Sequence, residues 1–208
     1  MTKYPHRFTS APPPHVINAY GRAAANGDDI AVLWYLDRYP AFADAVDEGG
    51  RTSLMQAVQN RQVKIIDMLL SHGINPALQD TRGWTALMMA AWRGDAGIVD
   101  RLVAVKSPVD TQSHEGLTAL MLAANMGRAP TVKILLDAGA NTDLRDLSGR
   151  TADEMAFDRG YHDAVSLIRL ARECRAVEVK KRAAASQQRH NRLREKRPDT
   201  PFNKKGPK

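Results

Sequence analysis

Polar turns and apolar stripes alternate along this chain with a fixed long period. Residues 50–58 read GRTSLMQAV, residues 83–91 GWTALMMAA, residues 116–124 GLTALMLAA and residues 149–157 GRTADEMAF. Gly50, Gly83, Gly116 and Gly149 stand 33 residues apart without a slip. In the unit 80–112, Asp80 and Gly83 mark a tight reversal, since such turns favour Asp and a residue tolerating positive φ. Thr85 is placed to cap a helix through its hydroxyl. Leu87, Ala90 and Ala91 give that helix an apolar side made of small groups. Gly94 ends it where a left-handed residue is needed. Ile98, Val99, Leu102 and Val103 then predict a second amphipathic helix.

The following unit repeats the plan with Thr118, Leu120, Ala123, Ala124 and Gly127, then Val132, Leu135, Leu136 and Gly139, with Pro130 in the first turn of its second helix. The preceding one offers Thr52, Leu54, Ala57, Ile65, Ile66, Leu69, Leu70 and Gly73. A more divergent unit precedes these, with Ala23, Ala24, Gly27, Val32 and Leu36 in matching places, and a last one keeps Thr151, Ala156, Gly160 and Val165. That last unit carries Asp153 where its predecessors carry leucine, as expected of an end unit with a polar outer side.

Self-similarity at this period signals a stacked repeat architecture. The pattern resembles the ankyrin repeat, a 33-residue unit of a β-turn and two helices. The resemblance implies an all-α solenoid of helix-loop-helix units joined by β-hairpin turns, with repeats at 17–46, 47–79, 80–112, 113–145 and 146–171. Residues 1–16 are then a flexible lead-in, with polyproline character at SAPPPH. Residues 172–208 form a basic helical extension and a disordered tail that Pro198 separates from the helix. Two departures from the family pattern stand out. The usual TPLH is here TSLM, TALM and TALM, so Met55, Met88 and Met121 fill volume without the histidine's polar contacts. Lys106 replaces the glycine expected after the second helix, which predicts a strained or re-routed turn at VKSPV.

Composition adds a strong asymmetry. Residues 169–208 hold 14 Lys/Arg against 4 Asp/Glu, a balance of +10, so of the net +7 the remaining 168 residues contribute −3. The single cysteine, Cys174, excludes a disulfide framework within the chain and reads as a small apolar residue of the end helix. No apolar run is long enough for a transmembrane segment, and no secretory signal is visible, which makes a cytoplasmic protein the expectation. The six histidines show no metal-ligand spacing, and no phosphate-cradling glycine loop, GxSxG or HExxH occurs. The expectation is a non-enzymatic protein without cofactor or metal.

The resemblance implies a monomeric scaffold for another protein, with recognition residues on the hairpin tips and at the concave ends of the first helices. At the matching positions stand Arg51, Arg82, Trp84, Leu117 and Arg150 on the tips, and Trp92, Arg93, Asn125 and Met126 at the helix ends. Trp and Arg dominate binding hot spots. Trp84 has two readings, a contact residue or a shield lying along the neighbouring hairpin. An apolar centre around Trp92 and Met126 with Arg82 at its edge suits an amphipathic or acidic peptide segment. The second functional reading is an adaptor whose arm binds nucleic acid or another polyanion through Lys180, Lys181, Arg182, Arg189, Arg192, Arg194, Lys196 and Arg197. A solvated basic helix explains the same residues, and only Phe202 there offers an aromatic ring for stacking.

Overall fold

The computed structural model describes residues 11–195, with side chains as far as Gln188. The expected tail disorder after Pro198, the lead-in before Ala11 and the side chains of Arg189, Arg192, Arg194, Lys196 and Arg197 lie outside the described residues.

The last four units each begin at a turn closed by one side chain. Asp80 Oδ1 accepts the backbone N–H groups of Arg82 and Trp84 at 2.9 and 2.8 Å. Asp47 Oδ1 does the same for Gly49 and Arg51, and Asp146 Oδ1 for Ser148 and Arg150. Ser113 Oγ takes over this role for Glu115 and Leu117. The buried acceptor satisfies amides that would otherwise be orphaned, which explains why the turn keeps Asp or Ser. Gly83, at φ +77°, allows the next hairpin to stack directly, for an added Cβ would lie 2.7 Å from the backbone N of His114. The tips are then linked in series: Thr81 N–H donates to Gly49 O, His114 to Arg82 O and Leu147 to Glu115 O, at 3.0 to 3.1 Å.

The helices follow in pairs: α1 (Pro14–Asn26) with α2 (Asp29–Arg38), α3 (Ser53–Gln59) with α4 (Val63–Ser71), α5 (Ala86–Arg93) with α6 (Ala96–Ala104), and α7 (Ala119–Asn125) with α8 (Ala129–Asp137). The last pair is α9 (Ala152–Asp158) and α10 (His162–Glu195). A short 3₁₀ turn, Pro40–Phe42, follows α2, and α1 starts at Pro14 after an extended Pro13. Thr52, Thr85 and Thr118 cap α3, α5 and α7 by accepting from Met55, Met88 and Met121 N–H, each at 3.2 Å. Successive first helices stack, α1 on α3 through to α7 on α9. The small residues permit this, with Ala57, Ala90, Ala91, Ala123 and Ala124 fully buried. Leu54, Leu87 and Leu120 lie in the core with Met55, Met88 and Met121, so the methionines pack as their volume suggests. Gln79 and Gln112 bind one hairpin to the next: the amide of Gln79 donates to Gly83 O and Gln112 O, that of Gln112 to Gly116 O and Arg145 O.

The turn at Lys106 is not re-routed. Lys106 adopts the left-handed conformation itself, at φ +60°, where Gly73 and Gly139 stand in their repeats. Arg61 likewise takes φ +57° at the loop position held elsewhere by Gly94 and Gly127. Asp153 corrects the sequence reading. It is not a solvated outer residue but only 4% exposed. Its carboxylate accepts from the Thr151 hydroxyl at 2.8 Å and from Arg169 Nε at 3.2 Å. The last unit therefore exchanges a leucine for an ion pair made with α10.

Two compact units divide the chain at Arg169. The second consists of the basic helix from Leu170, in which every described side chain from Val177 to Gln188 is exposed. Cys174 is exposed as well, not packed as a small apolar residue. No helix among the described residues is long and apolar enough to cross a membrane.

Candidate functional site

Trp92 occupies the last turn of α5, where the core stripe of Leu87, Ala90 and Ala91 has turned away, and it remains 43% exposed. Trp84 leaves the hairpin immediately after Gly83, its amide fixed by Asp80. Its ring is half-buried against the core and meets Trp92 edge-on, with centroids 6.3 Å apart and planes at 69°. Such an edge-to-face pair holds two large rings in defined orientations. Trp84 is therefore both packing and surface.

The guanidinium of Arg82 lies 4.7 Å from the Trp84 ring centroid, and its Nη2 donates to Asp80 Oδ2 at 3.1 Å. The side chain is thus held from two sides, by a buried carboxylate and an aromatic face. Arg51 pairs in the same way with Asp47 at 3.3 Å, and Arg93 Nε donates to Asp95 Oδ2 at 3.2 Å. Asp95 also binds Arg61 from the preceding loop, and the paired carboxylate holds that guanidinium above its ordinary pKa.

The two tryptophans and Arg51, Arg82 and Arg93 border one half-open cleft of about 530 Å³ across the second and third repeats. Its lining includes Gly49, Arg51, Gln59, Asp80, Thr81, Arg82, Trp84, Met89, Trp92 and Arg93. Five of the sequence-derived candidates thus converge: Arg51, Arg82, Trp84, Trp92 and Arg93. Four others lie outside this lining. Leu117 is half-buried against the core, Asn125 and Met126 are half-buried at the end of α7, and Arg150 is exposed and paired with Asp146 at 3.0 Å. The exposure expected of Asn125 is accordingly partial. Met126 does not share the cleft, so its accessible apolar surface comes from Trp92 and the half-buried Trp84, with Met89 in the core at 6% exposed. Met89, which the sequence did not single out, borders the cleft from the core, and its register counterparts Gln56 and Leu122 give that position no consistent character.

A second apolar groove lies on the first repeat, lined by His15, Val16, Ala19, Ala23 and Trp34 among others. Trp34 is 54% exposed there. The Arg38 guanidinium lies 5.9 Å from the Trp34 ring centroid, whereas three arginines line the Trp84–Trp92 cleft.

The cleft sets the Trp84 and Trp92 rings beside hairpin backbone and the guanidinium groups of Arg51, Arg82 and Arg93. A search of curated proteins returns no match. The family model for ankyrin repeats (3 copies) matches twice, over residues 21–107 and 87–177. Together these matches run from within α1 to within α10, over residues 21–177, and the chain belongs to the ankyrin repeat family.

Proposed function

We propose that this protein is a non-catalytic interaction scaffold that binds another protein through the cleft between its second and third repeats. Ankyrin repeats are typically protein–protein interaction modules, and no catalytic domain is found in the chain. The observation that carries the reading is the Trp84–Trp92 pair with Arg82 fixed on it, a rigid aromatic and cationic cluster left accessible at the middle of the repeat surface. Buried aromatic and arginine anchors supply most of the energy in protein interfaces. Affinity capture from cell extract with the wild-type chain and with Trp92→Ala tests it. Partners retained by the wild type should be lost from the variant while circular dichroism stays unchanged. An identical partner set from both proteins would place recognition elsewhere, with the convex face, Leu117, Asn125, Met126 and Arg150 as the next positions to examine.

A second reading concerns the basic arm. Lys180, Lys181 and Arg182 are all exposed on α10, within the stretch that carries a balance of +10. On this reading the arm holds a polyanion while the repeats recruit a protein. Heparin retention should then fall steeply with salt, because phosphate-type contacts release counterions. Deleting residues 180–208 should abolish retention without shifting the unfolding midpoint. Retention that survives the deletion would remove the arm from the account.

A further inference from the structure

The chemistry of the cleft narrows the class of partner segment. We infer that it binds an extended acidic peptide segment in which Asp or Glu flanks one aromatic or aliphatic anchor residue; this rests on the reading of the cleft as the recognition surface.

The polar groups around the cleft are sorted by accessibility. The side chains of Arg82, Arg51 and Arg93 keep 64%, 42% and 32% of their surface exposed, while those of their partners Asp80, Asp47 and Asp95 keep 2%, 12% and 10%. The carboxylates are moreover engaged. Asp80 and Asp47 accept backbone amides of their turns, Asp47 Oδ2 accepts from Gln56, and Asp95 holds both Arg61 and Arg93. Formal charge nearly cancels, yet what a ligand meets is a rim of N–H donors with the acceptors turned inward.

That rim selects for anions. Guanidinium groups bind carboxylates through paired, charge-assisted hydrogen bonds, and their orientation is fixed in advance by the inner aspartates. A basic segment would meet the like charges of three arginines. A quaternary or methylated ammonium has no aromatic cage to enter, because Arg82 covers a face of Trp84.

Beside the arginines, the exposed part of the Trp92 ring offers an apolar surface for one side chain. The half-open form of the cleft, bordered by two adjacent hairpins, suits a chain segment more than an enclosed metabolite.

A phage-displayed random dodecapeptide library panned against the full chain, followed by fluorescence anisotropy with labelled synthetic versions of the enriched peptides, tests this. Enriched peptides should carry Asp or Glu on either side of an aromatic or aliphatic residue. Trp92→Ala should weaken their binding about 30-fold or more. Arg82→Glu should weaken it about 10-fold or more, with partial recovery when the peptide's flanking Glu is changed to Lys. Circular dichroism checks that both variants remain folded. Peptides that are basic or purely apolar, sensitive to Trp92→Ala but indifferent to Arg82→Glu, would overturn the acidic chemistry while leaving the cleft as the recognition surface. Peptides indifferent to both substitutions, or no enrichment at all, would overturn the inference together with the reading of the cleft.

Discussion

Removing Arg169 should damage the last repeat more than removing the aspartate it neutralises. In Arg169→Ala the Asp153 carboxylate stays where it is, 4% exposed, with the Thr151 hydroxyl 2.8 Å away. Breaking a buried ion pair from one side costs up to about 3–5 kcal/mol when the remaining charge stays dry and uncompensated. Arg169 has 55% of its side chain exposed, so its loss opens a route for water. The expected cost is therefore about 1–3 kcal/mol, as for a buried charged group that loses one of its hydrogen-bond partners. Asp153→Leu instead restores the residue type found at Leu54, Leu87 and Leu120. Burying a leucine contributes about 1.5–3 kcal/mol. Fitting it into a site shaped for a carboxylate costs about 1–3 kcal/mol. Arg169 meanwhile turns to solvent, so the net change should stay within about 1 kcal/mol of zero. In the double variant the Arg169→Ala cost should shrink below about 0.5 kcal/mol, the size of an ordinary surface change. Urea unfolding followed by far-ultraviolet circular dichroism reads the global effect. Hydrogen exchange in α9 reads the local one, because end units of a stacked array open most readily. Equal losses in the two single variants, or an undiminished Arg169→Ala cost in the double variant, would refute the argument that a buried carboxylate controls this contact.

Leu120→Ala should cost about 2–5 kcal/mol, since Leu120 is fully buried, whereas half-buried Asn125→Ala should cost under about 1 kcal/mol; comparable small losses would contradict the repeat register. Lys106→Gly should raise the urea midpoint, because a side chain in the left-handed region costs about 1–2 kcal/mol, partly offset by the greater freedom of glycine when unfolded. A lowered midpoint would mean that the Lys106 side chain contributes more than its backbone strain removes. Stability should decline in acid partly through Asp146. Burial acts to raise its pKa, but hydrogen bonds from Arg150 and Ser148 and the charge of Arg150 outweigh this and hold it below the ordinary value. Its stabilising effect is therefore complete above an unfolded pKa of about 4 and disappears as pH falls through the lower folded value. Asp146→Asn should be less stable than the wild type at pH 7 and should lose less on transfer to pH 3; parallel losses would rule the group out.

Much of this protein is written locally and repeatedly. A period of 33 residues, a threonine before each apolar stripe and a glycine after each turn determine where helices begin, where they end and which faces meet. Leu54, Leu87 and Leu120 could be assigned to the core from spacing alone, because a helix brings such positions to one side wherever it lies. Lys106 was legible too, as a residue standing where a left-handed backbone is required.

The recognition chemistry was legible only as residue types. Trp84, Trp92 and the arginines drew attention, but their orientation depended on contacts the repeat does not encode. Asp80 serves both turn amides and Arg82, and Arg82 in turn covers Trp84. Arg61 and Arg93 meet on Asp95 because the loops of adjacent units lie side by side. Asp153 looked like a solvent-facing substitution until α10 supplied Arg169 from 16 residues away. Periodicity determines which positions become neighbours, whereas charge pairing, ring packing and burial depend on what occupies the neighbouring unit. Those choices differ from one repeat to the next, so only the assembled stack settles which residues form the cleft and which remain apart from it.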